Sequence, residues 1–226
     1  MNKFELDTNN SISYRGKTLY RIRALRSFND VKEGSLGGYV ENINNLSQSG
    51  NCWLYEKSKV LGKGLVTDDA LLYNNATVFS KAVVAGNAKM FGNSKIFDSS
   101  ILLDYAELDD KAQVRGESKV GYNSLISGSS IITNAEIFTN SYILDAEIDS
   151  NLDILSIMIN ETITAYRTIN GEILINTTPQ VNVYTLDEFA NMISSKSKDD
   201  KSKYNKVLKF IKSYFSTSSA ISLFSF

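Results

Sequence analysis

No histidine occurs among the 226 residues of this chain. Its absence removes the commonest general base, proton shuttle and metal ligand together. A single cysteine, Cys52, excludes an internal disulfide. One proline and 13 glycines exclude collagen-like and proline-rich readings. The formal net charge is −1, with 22% charged residues, so no global field draws the chain to nucleic acid or to an anionic membrane. No apolar run reaches the roughly 18 residues of a membrane helix. The opening MNKFELDTNN has no apolar stretch of the kind a secretory signal needs. The expectation is a cytoplasmic protein without disulfide, cofactor or bound metal, and with neither nucleic acid nor membrane as partner.

What the sequence does have is a period of six. A small residue stands at Ser58, Gly64, Ala70, Ala76, Ala82, Ala88, Ser94, Ser100, Ala106, Ala112, Ser118, Ser124 and Ser130. Two places after each comes an aliphatic residue or methionine, from Val60 through Met90 to Ile132, without a miss. Cys52 and Leu54 extend the pattern backwards. Beyond Ile132 it slips by one residue to Ala135 and Ile137, and again to Ala146 and Ile148. Neither a helix nor an ordinary strand repeats every six residues. Residues two apart on a strand share a side. Each small–apolar pair therefore faces one core, the residue between them points out, and polar pairs such as Gly86-Asn87 or Asn74-Asn75 make the turn. Three hexads per coil give a mainly β solenoid of six to seven coils, about 30 Å long at strand spacing.

The residue after each apolar member lies at a corner. At coil spacing one corner carries Tyr55, Tyr73, Phe91, Asp109 and Ser127. A second carries Leu61, Phe79, Phe97, Arg115 and Thr133, and the third Thr67, Ala85, Leu103 and Gly121. Six large apolar groups in two columns are expected to form an interface, in a homo-oligomer that is a trimer or a dimer; the other reading is that they brace corners. Asp98, Asp104, Glu107, Asp109, Asp110 and Glu117 fall on outward positions and read as a solvated face.

Four segments are expected. Residues 1–33 form a β cap, with strand alternation in KTLYRIRALRSF. Arg15, Arg21, Arg23 and Arg26 make a basic cluster there, able to hold phosphate but expected to pair with Glu33 and Glu41. EGSLGG lacks the spacing of a phosphate loop. Residues 34–155 form the solenoid. Residues 156–194 form a hairpin, with a type I′ turn at Asn170-Gly171, and a short helix opened by a capping box of Thr185 and Glu188. Residues 195–226 form a linker, SSKSKDDKSK, an amphipathic helix over 202–215 and an apolar tail, SSAISLFSF. The helix places Tyr204, Val207, Leu208, Ile211, Tyr214 and Phe215 on one side. Tyr214 and Phe215 join the interface candidates, because a dimer through these helices is one expected arrangement. Seven lysines from Lys196 to Lys212 read as its solvated face.

The hexads resemble the left-handed parallel β-helix of hexapeptide-repeat proteins. The segment from Leu19 to Val60 is more closely similar to an uncharacterised bacterial and bacteriophage family with hexapeptide-like repeats. The similarity rests on LGGYV at 36–40, NLS at 45–47 and GNCW at 50–53, then on YRTINGEILIN at 166–176 and TLDEF at 185–189. Tyr184 stands where that family often has glycine, and TTPQ where it has a Gly-Cys pair. The best-known proteins of this fold are trimeric acyltransferases that use acetyl-CoA or acyl-carrier protein and a histidine between subunits; carbonic anhydrases of the fold hold zinc with three histidines. This chain has no histidine, and it places Tyr73, Phe79, Phe91 and Phe97 where small residues are usual. The resemblance therefore implies a non-catalytic column that binds another protein. For a phage-borne member that would be an anti-defence role, such as an anti-CRISPR inhibitor of a host protein. The alternatives are an acyltransferase-like enzyme, a structural scaffold, or a DNA mimic, which the near-zero net charge disfavours.

Overall fold

The computed structural model describes residues 2–221, with side chains to residue 216. The hexads form short strands stacked in parallel on three faces. Face one runs from Leu36–Val40 through Lys59–Val60, Thr77–Val78, Lys95–Ile96 and Gln113–Arg115 to Ile131–Thr133 and Glu147–Ile148. Face two holds Leu65–Val66, Val83–Val84, Ile101–Leu102, Lys119–Gly121 and Glu136–Phe138. Face three runs from Trp53–Leu54 to Tyr142–Leu144. Both members of the small–apolar pairs point inward: Ala70, Ala88, Ser94, Val84, Met90 and Ile126 are all 0% exposed. Each fully buried aliphatic side chain contributes about 1.5–3 kcal/mol. The buried serines spend their hydroxyls locally, Ser58 on Tyr55 O and Ser94 on Phe91 O at 2.6 Å each, so no unpaired donor enters the core.

The turn conformation recurs with the same period. Glu56, Asp68, Asn74, Asp98, Asp104 and Asp110 have positive φ, as do Gly62, Gly86 and Gly92 at the matching places. Aspartate, asparagine and glycine tolerate this region best. The two slips shorten the coils: Lys119 aligns with Glu136, and Ile131 with Glu147, where Lys95 aligns with Gln113.

The corner and strand-entry N–H groups donate towards the C-terminal end, for instance Trp53 N to Ala70 O and Tyr55 N to Leu72 O. At these positions the first coil is left with carbonyls and the last with N–H groups, and each end needs its own seal. At the start, strands Phe4–Tyr14 and Lys17–Ala24 pair antiparallel, and Leu36–Val40 joins them to the column. The alternation expected over 17–28 breaks at a register shift between Arg21 and Arg23, so Leu19, Ile22 and Ala24 are all buried. Gly37 and Gly38 permit the close crossing: a Cβ would lie 2.6 Å from the Ile22 side chain and 2.5 Å from Ser58 O, respectively.

At the other end, strands Ile154–Met158, Thr162–Arg167, Ile173–Thr178 and Asn182–Thr185 form an antiparallel meander. Tyr166 and Leu174 pack on the column core, while Ile163, Ala165 and Ile175 join Phe189, Ile193, Tyr204, Val207 and Ile211 in a second core under α1 (Leu186–Ser194) and α2 (Lys198–Ile221). The Thr185–Glu188 capping box forms. Two expectations are corrected here. Only Gly171 of the Asn170-Gly171 pair has positive φ, and Gly171 N donates to Thr168 O; the turn is therefore a three-residue one ending in a left-handed glycine, since type I′ needs positive φ twice. The linker shrinks to 195–197, because Ser197 Oγ accepts from Asp200 N and starts α2 early. The apolar end of SSAISLFSF, residues 222–226, lies outside the described residues.

Candidate functional site

The outer corners are built as the coil period requires. Tyr55 and Tyr73 stack with centroids 4.6 Å apart and planes 3° apart, and Tyr73 and Phe91 at 4.9 Å. Phe79 and Phe97 stack at 4.7 Å. All five rings are half-buried, whereas Leu61, above Phe79, is buried. The N-terminal cap reaches both columns. Tyr55 Oη donates to Asp30 at 2.6 Å, and the Arg15 guanidinium sits 4.4 Å from the Phe79 ring centre. Burial and the Asp30 carboxylate hold the Tyr55 hydroxyl well above its usual pKa, and burial raises that of Tyr73. Each column thus has one end tied to the cap and its flank open.

The four arginines do not converge on one anion. Arg23 bonds Asp7 at 2.5 Å, Arg21 donates to Gly37 O and lies 5.4 Å from the Tyr39 ring, and Arg26 lies 5.7 Å from the Phe28 ring. Glu41 pairs with Lys17 and accepts from Gly62 N. The expected pairing with Glu33 and Glu41 is thus replaced by Asp7 and by ring faces, which the hairpin brings nearer. Phe215 is corrected as well, while Tyr214 is half-buried. Phe215 is 5% exposed in the second core, with Arg167 5.6 Å from its ring centre, and Tyr214 Oη donates to Asn151 O. They hold α2 to the column end.

The acidic residues have structural duties. Asp98 accepts from Gly116 N, Asp104 from Tyr122 N and Asp110 from Gly128 N, each 18 residues ahead. Asp68 does the same for Gly86 N. Bonds from Ser127 and Gly128 hold the Asp110 carboxyl below its usual pKa. Cys52 is buried with its Sγ 3.1 Å from the Lys3 ammonium, which is itself 0% exposed. Lys3 Nζ also donates to Cys52 O at 2.9 Å and to Ser49 O and Gly50 O. Gly50 and Cys52 align with Asp68 and Ala70, whose carbonyls accept from the coil before; Lys3 supplies the donor that the first coil lacks. Burial lowers the Lys3 pKa and raises that of Cys52.

Sequence reasoning about the corners passed over the residues between them. On face two the outward row begins Leu65, Val83, Ile101, all half-exposed. Their signal was the middle place of each hexad, read at coil spacing. Three open clefts mark the lower column. One of about 380 Å³ is lined by Asp104, Tyr105, Tyr122, Asn123 and Asn140. Another of about 340 Å³ lies between Phe138 and Ile154, and a third of about 420 Å³ beside Met158 and Pro179. No group of three or more Asp, Glu or Cys able to hold a metal ion occurs among the described residues. No helix among them is long and apolar enough to cross a membrane.

No family model matches the chain. Over 48 residues, 21% of its length, it is 40% identical to an uncharacterized acetyltransferase of Escherichia coli (strain K12), YdcK. The match spans 15% of that protein. Together with the parallel solenoid, this likeness fits a hexapeptide-repeat β-helix.

Proposed function

We propose that the protein acts by binding another protein, without catalysis. The observation that carries this reading is the pairing of a rigid column, with stacked aromatic rings on its outside, and the engagement of its ionisable groups. Cys52 is sealed under Lys3, and Asp68, Asp98, Asp104 and Asp110 are spent on turn N–H groups. General acid–base work needs a group tuned near the working pH and in reach of substrate. The Tyr55–Tyr73–Phe91 column is the proposed docking spine, since stacked rings offer rigid apolar area at low entropic cost. For a phage-borne chain the partner is a host defence protein, in line with the family it resembles. The YdcK likeness favours an acyltransferase as the second reading.

The two are separated by incubating the pure protein with acetyl-CoA and amino sugars, and by titrating a captured partner with wild type and with Tyr73→Ser/Phe91→Ser. Saturation near one site per chain, lost in the double variant, supports binding. Turnover of acetyl-CoA, abolished by a single surface substitution, overturns it.

A further inference from the structure

Face two differs from the other two. Face one carries Lys59 and Lys95 in its outward row, and the hairpin continues its sheet at the first-coil edge, with Lys59 Nζ 5.3 Å from the Tyr14 ring centre. Face three breaks early into the Lys89–Glu107 ion pair. Face two keeps Leu65, Val83 and Ile101 in an unbroken stack before its own ion pair, Lys119–Glu136, at 2.7 Å. The flanking corners continue the apolar surface in the same coils, with Phe79 and Phe97 on one side and Ala85 and Leu103 on the other.

The edges beyond those corners carry opposite charge. On the Phe79 side stand exposed Lys63 and Lys81, with Arg15 above Phe79. On the Ala85 side stand exposed Asp68 and Asp69. A two-fold axis parallel to the column sets two copies face to face with their coils level. It carries the lysine edge of each copy onto the acidic edge of the other. A two-fold axis across the column would set lysine against lysine. A three-fold arrangement is heterologous and would set face two against a different surface of the next copy, without this self-complementary pairing of edges.

We infer that face two binds a second copy of this chain in an isologous, side-by-side dimer over its first coils. The third coil sets the lower limit, because Asp98 would there meet Asp104 of the other copy. Leu65 and Val83 form the dry centre, and the two charge pairings fix the direction of the partner.

The test uses the whole protein in sedimentation velocity across a concentration series. Lys63→Glu/Lys81→Glu sets acid against Asp68 and Asp69 in the first coil at both edges and removes the cation beside Asn87 in the second, and Asp69→Lys/Asn87→Lys sets base against base. Among the described residues neither Lys63, Lys81 nor Asn87 has a side-chain hydrogen bond or ion pair to lose, and Asp69 accepts only from Asn51. The expected result is a dimer for wild type and a dissociation constant raised at least about tenfold for each double variant, about 1.4 kcal/mol. An equimolar mixture of the two variants restores the dimer, since both edges are then complementary. Val83→Glu, outward and uninvolved in the core, separates the copies while leaving the thermal melt of the chain intact. A monomer or trimer mass for wild type, variants that dimerise as wild type does, or a mixture that stays monomeric overturns the inference. The measurement needs only the pure protein, so its failure leaves the proposed foreign partner untouched.

Discussion

The two ends of the column face opposite chemical problems. The first coil presents carbonyls without donors, and the seal is a cation: Lys3 bonds Ser49 O, Gly50 O and Cys52 O from a fully buried position. At the matching positions the last coil presents N–H groups without acceptors, and its seal is mostly neutral oxygens, with the Asp153 carboxylate accepting from Asp149 N. Leu144 N donates to Tyr166 Oη, Tyr142 N to Asn176 Oδ1 and Glu136 N to Asn151 Oδ1. A parallel solenoid is polar along its axis, so its caps are not interchangeable. A cap is defined by the sign of what it offers as much as by the surface it covers.

The largest effect is expected where neither seal acts. Ala88→Glu places an unpaired charge in the mid-column core and should abolish the cooperative melt; a melt equal to wild type would show that Ala88 does not face a packed interior. Tyr166→Ala removes the ring that closes the lower core and should cost about 3–5 kcal/mol in urea unfolding. A sharper comparison comes from removing only the polar function of each seal. Lys3→Met and Tyr166→Phe keep most of the volume and leave carbonyls or the Leu144 N–H unpaired, at about 1–3 kcal/mol each. Hydrogen exchange should then localise the loosening to the first coil in one variant and to the last in the other.

The smallest effect is acid sensitivity. Bonds from Asn10 and Arg23 lower the Asp7 pKa, and those from Gly62 N and Lys17 lower that of Glu41. A depressed carboxyl contributes stability above its unfolded pKa, near 4, and loses it as pH falls through the folded value. The hydroxyl and amide oxygens of the lower seal do not titrate there; the Tyr166 pKa is pushed up to about 12 by burial. With exchange rates divided by their intrinsic values at each pH, protection at pH 3 relative to pH 7 should fall in the hairpin strands before it falls in the meander.

The column was legible because its signal repeats. Each hexad states the same inward pair, so thirteen weak statements from Ser58 to Ile132 reinforce one another. The seals are stated once each, by residues whose role depends on distant partners. Lys3 lies 49 residues from Cys52 in sequence, and nothing local marks a lysine as buried. Phe4–Tyr14, Ile154–Met158 and Asn182–Thr185 also have no clear period. Their pairing partners, more than their own alternation, make them strands. Of the candidate surface, the aromatic columns could be read from coil spacing. The charge edges beside face two could not, because they matter only once Leu65, Val83 and Ile101 are known to share one sheet.

The ladder of turn carboxylates and carboxamides has a consequence for how such a chain can change over generations. Asp68, Asn74, Asp98, Asp104 and Asp110 each reach a backbone N–H 18 residues ahead. A lost or gained single residue in the upper coils would pull the rungs that span it off their N–H donors. A lost or gained whole coil would present each rung with an equivalent one. Length here is heritable in quanta: duplication or deletion of one complete coil is the mutational step that this architecture forgives.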